Sequence, residues 1–186
     1  MFSSSGSQLR GRASRSGFTL VELMAVVAIL GILSALATVS LRRYLASSKN
    51  VEALAVMRAI AAAQERYRGE HMTYLNVSSS DLARYYPMAA GSVGPDQFNW
   101  NNPTGADATR WAELAVNVPQ PVRFGYATVA GLPGTSFPVT GLATQPAWPT
   151  VVTGPWYVIQ AIGDPDDTGR TSLMVMSSFN DQIAQQ

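Results

Sequence analysis

The chain has 186 residues, one domain by the usual range of roughly 100–200. Only 13% are charged and the net charge is +1, so no basic field marks a nucleic-acid partner. The absence of cysteine excludes a disulfide framework, thiolate metal sites and a cysteine nucleophile, and the single histidine, His71, excludes His-rich metal sites and most His-based relays.

Residues 1–17 form a basic leader, with Arg10, Arg12 and Arg15 and no acid. Residues 23–41 (LMAVVAILGILSALATVSL) carry no charge at all. As a helix rising about 1.5 Å per residue, that run is long enough to cross a bilayer core. It is too long and too apolar for an ordinary buried helix. A basic stretch before an apolar one suggests a secretion signal. Small-residue cleavage options after the run lead straight into RRYLASSKN, however, and the small residue that stands out is Gly17, before the run. A cut there removes the leader and keeps the apolar segment. Arg42, Arg43 and Lys49 follow the run closely, so charge counting leaves the orientation open. The bulk of the chain favours an inside N-terminus.

Glu22 interrupts the apolar stretch. A carboxylate in a bilayer costs about 2.5–3.5 kcal/mol even on the lenient insertion scale. Either it snorkels to the interface or it meets a cation supplied by another molecule.

Taken in order, Gly17-Phe18-Thr19-Leu20-Val21-Glu22-Leu23 resembles the N-terminal signature of type IV pilins and type II secretion pseudopilins. The resemblance covers about residues 10–70. It implies cleavage between Gly17 and Phe18 by a prepilin peptidase, N-methylation of Phe18, and pairing of Glu22 with the Phe18 amine of a neighbouring subunit. It implies a single-pass inner-membrane precursor with a periplasmic head, handed by an assembly platform into a periplasmic or extracellular filament of identical or related subunits. The helix of residues 18–41 then serves as membrane anchor and later as filament core. Gly31, Ser34, Ala35 and Ala37 are small enough for neighbouring helices to approach closely. Many family members carry a proline within this helix; here the first proline after the cut is Pro87. Whether the helix melts on assembly stays open.

Residues 42–70 continue the helix as an amphipathic stretch. Ala53, Val56, Ile60, Ala63 and Tyr67, with Met57 beside them, recur at helical spacing, and Gly69 is the expected stop. A helix from Phe18 to Arg68 is roughly 75 Å long, so its first half is expected to project. The stripe is expected to pack on a sheet; it is short for a coiled coil.

Residues 71–186 read as a globular head. Strands are expected at 122–130, 156–162 and 172–178 from their β-branched and aromatic content. Short helical turns are expected after Ser80, ending at Pro87, and after Asp107. Residues 91–104 and 131–155 read as loops. The order implies an α+β architecture: a long N-terminal helix, its apolar half projecting and its amphipathic half packed on an antiparallel sheet, as the resemblance also implies. Trp100, Trp111, Trp148 and Trp156 are the large core candidates.

The turn GDPDDTG places Asp164, Asp166 and Asp167 together, with Thr168 and Gly169 after them. The spacing partly matches the start of a calcium loop, but Val175 stands where the closing acid would be, which excludes an EF-hand. The turn reads either as a polar hairpin, its aspartates bonding to the backbone and Gly169 at positive φ, or as a calcium site with Asp164, Asp166, Asp167 and Thr168 as candidates. No other cofactor is expected. With no cysteine to staple the C-terminal region, this hairpin is the expected device for pinning the last strand.

No catalytic constellation is visible, and the head has more acids than its few arginines, which disfavours DNA capture. The expected function is a structural filament subunit. A type II secretion pseudopilin, or a minor pilin acting in surface binding, is the alternative.

Overall fold

The computed structural model describes residues 17–88, 93–94, 96–101, 107–164 and 167–185. The leader arginines Arg10, Arg12 and Arg15 lie outside them, as do Asp166 and parts of the 91–104 loop. Two units are distinguished, Met1–Ser40 and Leu41–Gln186. One helix, α1 (Leu20–His71), contributes to both.

In the first unit every described side chain is exposed, and Leu20–Leu41 is long and apolar enough to cross a membrane. Two of its hydroxyls bond back to the helix. Thr38 Oγ1 donates to the Ser34 carbonyl at 2.9 Å, and Ser40 Oγ donates to the Leu36 carbonyl at 3.2 Å. Back-bonding of this kind satisfies a hydroxyl without water, which suits an apolar surrounding.

In the second unit α1 buries Ala53, Val56, Met57, Ile60 and Ala63. This is the stripe expected from the spacing. Gln64 is also fully buried; it holds both the N–H and the carbonyl of Leu75, at 2.9 and 2.8 Å. The expected stop at Gly69 is corrected. The helix runs on to His71 and closes on Met72, whose φ of 61° takes the left-handed position and whose N–H bonds the Arg68 carbonyl. That position is more often glycine's.

Four antiparallel strands follow in simple order: β1 (Gly125–Gly131), β2 (Trp156–Gly163), β3 (Ser172–Ser177) and β4 (Asn180–Gln185). Thr128 sits opposite Ile159, Gln160 opposite Val175, and Val175 opposite Ala184. Strand side chains alternate between faces. Tyr126, Ala130, Tyr157, Ile159, Ala161 and Met174 join the α1 stripe in one core. Ala127, Val129, Trp156, Val158, Leu173 and Val175 point the other way and are covered by Leu82, Tyr85, Met88 and Leu142 from the connections. The α+β expectation holds, with both sheet faces buried rather than one.

Three details differ from expectation. The segment after Ser80 forms turns, not a helix, because Tyr86 exchanges two backbone hydrogen bonds with Tyr126 on β1 (2.9 and 2.7 Å). The helix after Asp107 does form, as α2 (Ala108–Leu114), but the Asp107 side chain makes no cap. Its two oxygens take Nε and an Nη of Arg84 at 2.8 and 2.7 Å instead. Strand β4 was not expected, so the last hairpin is β3–β4 and not the one closed by GDPDDTG. Ser178, at its turn, accepts from Tyr157 N–H through Oγ (3.1 Å) and donates its own N–H to the Tyr157 carbonyl (3.0 Å). Of the tryptophans, Trp100, Trp111 and Trp156 are buried, while Trp148 is half-buried between Phe137 and Phe179.

Candidate processing and assembly site

The Gly17–Phe18 peptide lies just ahead of α1 in backbone of no regular structure, with Phe18 80% exposed. A Cβ placed on Gly17 would meet no atom within 4 Å, and its φ is not in the left-handed range. Nothing among the described residues therefore requires glycine here.

The helix start is capped by Thr19. Its Oγ1 accepts the backbone N–H of Glu22 at 3.2 Å, and its carbonyl accepts the N–H of Leu23 at 3.2 Å. Thr19 and Glu22 hold the first and last positions of a capping box, a pattern readable as Thr-x-x-Glu that the sequence reading did not use. Only half of the box is closed. The Glu22 carboxylate accepts no hydrogen bond among the described residues and is exposed. It sits at the positive end of the helix dipole, where a negative charge is favoured.

A cut after Gly17 would create a new cation, the Phe18 amine, one residue before the cap. A positive charge there opposes the dipole. Glu22 is the acid in the first turn of α1 and the group available to balance it. Placed in an apolar layer, an amine and a carboxylate are tolerable only as a pair.

Gly31 of α1 has open space around it, so its small size answers to no neighbour among the described residues. His71 is exposed at the far end of α1, stacked on Tyr67 at 4.0 Å with Nδ1 3.1 Å from the Tyr67 carbonyl. It faces no carboxylate or nucleophile that would form a relay among those contacts.

At the β2–β3 turn, Asp164 is buried and accepts two backbone N–H groups, from Thr168 to Oδ1 (3.2 Å) and from Gly169 to Oδ2 (2.8 Å). Asp167 and Gly169 take φ of 55° and 76°. Asp167 and Thr168 are exposed. This is the bonding of the polar hairpin turn. Among the described residues no group of three acids or histidines is placed to hold a metal ion.

Residues 12–38 match the family described as the prokaryotic N-terminal methylation motif. Over 90 residues the chain is 36% identical to the type II secretion system core protein G of Pseudomonas aeruginosa, covering 48% of this chain and 61% of that one. Over 58 residues it is 45% identical to the type IV major pilin protein PilA of Myxococcus xanthus, covering 31% of this chain and 26% of that one. The chain thus spans about three fifths of the first relative's length and a quarter of the second's. No solved structure matches it. The chain thus carries the prokaryotic N-terminal methylation motif at the start of an apolar helix, and over part of its length it is similar to a type II secretion core protein and a type IV major pilin.

Proposed function

We propose that the chain is a structural subunit of a type IV pilus or a related filament, made as a prepilin and polymerised through α1. The observation that carries this is the unstructured, exposed Gly17–Phe18 peptide directly before a capped apolar helix with Glu22 on its first turn. Prepilin peptidase cuts there and methylates Phe18. The span Leu20–Leu41 first anchors the subunit in the inner membrane, head outward. An assembly platform then transfers it into a filament, where Glu22 pairs with the Phe18 amine of a neighbour. Removal of the leader takes three arginines, so the side chains of the product have 10 basic against 12 acidic groups (13 − 3 = 10), a balance of −2. Mass spectrometry of the mature protein tests the reading: the chain should begin at a methylated Phe18. An intact Met1 in filaments overturns it.

The alternative within the family is a secretion pseudopilin. A 90-residue match to a secretion core protein is longer than the whole of α1, which has 52 residues, so that likeness reaches into the head. Deleting the gene distinguishes the two: loss of surface filaments supports the pilus, and loss of exported enzyme with filaments intact supports the pseudopilus. A minor pilin with a surface-binding head is told apart by its low abundance in sheared filaments.

For the acidic turn, a calcium site on Asp164, Asp166, Asp167 and Thr168 is supported by the buried Asp164 carboxylate next to two further acids. A fall in melting temperature on chelation supports calcium; no shift leaves the hydrogen-bonded turn as its whole role.

A further inference from the structure

Helix α2 has little apolar contact with the rest of the head. Of its seven residues only Trp111 and Leu114 are buried. A helix this short is not stable by itself in water. The space beside it is not filled: a cavity of about 380 Å³ is lined by Ala108, Trp111 and Ala112 of α2 together with Tyr86 and Trp100.

Both ends of α2 are strained. Asp107 before it and Ala115 after it take the left-handed conformation, with φ of 62° and 53°. Glycine adopts it freely, whereas alanine does so at a cost. Trp111 adds a third penalty. It is 1% exposed, and its Nε1 donor has no hydrogen-bond partner among the described residues. The indole of Trp156, by contrast, donates to Thr135 Oγ1 at 3.1 Å. A buried indole N–H normally finds a partner, and leaving it unmet is destabilising.

An arginine sits on each strained joint. Arg84 grips the Asp107 carboxylate through Nε and Nη2, at 2.8 and 2.7 Å. Arg66 of α1 donates through Nη2 to the Leu114 carbonyl at 2.7 Å and to the Ala115 carbonyl at 3.2 Å. Two contacts on the surface add to these: Arg110 donates to the Asn76 carbonyl, and the Tyr67 hydroxyl donates to Glu113 at 3.3 Å. The Arg84 side chain is 44% exposed, so its ion pair is open to screening by salt.

We propose that residues 107–115 form a hinged flap beside the aromatic cavity, latched by Arg84 at one joint and by Arg66 at the other, and loosened by salt. Opening turns at Asp107 and Ala115. It relaxes both joints, gives the Trp111 N–H to water and bares Trp111 and Leu114. The sheet stays folded meanwhile, because its four strands pair with one another and α2 takes no part in the ladder. The flap belongs to the head and does not depend on the filament reading.

The chain has no cysteine, so a single introduced thiol reports its own exposure. Leu114→Cys lies under the flap, and Ile159→Cys lies in β2, where Ile159 is fully buried. In the full-length protein in detergent, a thiol reagent should label Leu114→Cys well before Ile159→Cys, and added sodium chloride should quicken the first reaction. Arg84→Gln in the Leu114→Cys chain should raise its rate roughly three- to tenfold, as expected for losing a bidentate ion pair with one partner mostly buried, and remove most of the salt effect. Arg66→Gln should also raise the rate but keep the salt effect. Neither change should alter the labelling of Ile159→Cys. Hydrogen exchange of the Trp111 and Ala115 amides in the unmodified chain repeats the test without a thiol under the flap. Equal labelling of the two cysteines, or Trp111 and Ala115 amides that exchange only together with those of β2, would mean that α2 leaves only when the head unfolds, and overturns the flap. A salt effect that survives Arg84→Gln overturns the latch.

Discussion

The Thr19 hydroxyl and the Glu22 backbone are joined at 3.2 Å, so the glutamate of the signature is also the third residue of a capped helix. Its amide is engaged by its own chain while its carboxylate is left open. That division anchors the helix start and leaves the charge open, as the proposed pairing with a neighbouring amine requires.

The cap should be measurable by itself. Thr19→Val removes the hydroxyl at constant shape, and the loss of an N-cap typically costs about 0.5–2 kcal/mol. Hydrogen exchange of the Glu22 and Leu23 amides in detergent micelles should speed up in the variant. Thr19→Ser should restore protection. Equal exchange in all three would mean the hydroxyl contributes nothing to the helix start.

Substitutions at Glu22 separate charge from capping. Glutamine also serves at the third position of a capping box, so Glu22→Gln keeps the local fold and removes the charge. Both Glu22→Gln and Glu22→Ala should leave the subunit in the membrane and reduce its incorporation into sheared filaments. Full assembly by Glu22→Gln would show that pairing with an amine is dispensable.

A Cβ on Gly17 meets no neighbour among the described residues, so substitutions there test the proposed cut and not the fold. Gly17→Ala should be nearly silent, because a methyl group finds open space. Gly17→Arg should leave full-length precursor on an immunoblot, while the head keeps its melting temperature. Normal maturation of that variant would place the cut elsewhere.

How much of this was readable in the sequence differs by element. Strands β1 to β3 and the α1 stripe announce themselves because apolar spacing is set by the face they bury. Helix α2 appears where an Asp precedes a helical run, but the Asp is used for Arg84, a contact 23 residues away that no local pattern encodes. The turn segment after Ser80 has helical composition and is overruled by the ladder between Tyr86 and Tyr126. Strand β4 is polar and alternates weakly; pairing with Val175 and Met174 makes it a strand. Gln64 escaped notice because a glutamine in a helix normally faces water. Here two hydrogen bonds to Leu75 make its burial tolerable. At the candidate site Gly17, Phe18 and Glu22 were legible as an ordered signature, and residues 12–38 match the methylation motif, whereas the half-closed cap required coordinates.

Packing at the sheet's C-terminal corner sets a strict limit on Gly163. A Cβ there would lie 2.6 Å from the Phe124 ring, and Phe124 is fully buried. Overpacking of this kind typically costs about 1–3 kcal/mol. Gly163→Ala should lower the melting temperature of the full-length protein, and Phe124→Leu in the same chain should recover part of the loss. An unchanged melting temperature would mean the ring shifts freely.

Tyr126 gives the head an alkaline limit. Its hydroxyl is buried and has no hydrogen-bond partner among the described residues. Burial, followed by the charge of Glu52, pushes its pKa well above the ordinary 10.0. The folded state therefore keeps the proton that the unfolded state releases above about pH 10. The unfolded state then binds fewer protons, and stability falls as pH rises through that range, with no effect below it. Tyr126→Phe removes both this linkage and an unpaired polar atom whose burial costs about 1–3 kcal/mol. Melting curves should show the variant at least as stable as the natural chain at pH 7, with a shallower decline between pH 10 and 12. A variant that is less stable at pH 7 and declines just as steeply would show that the hydroxyl is bonded in solution.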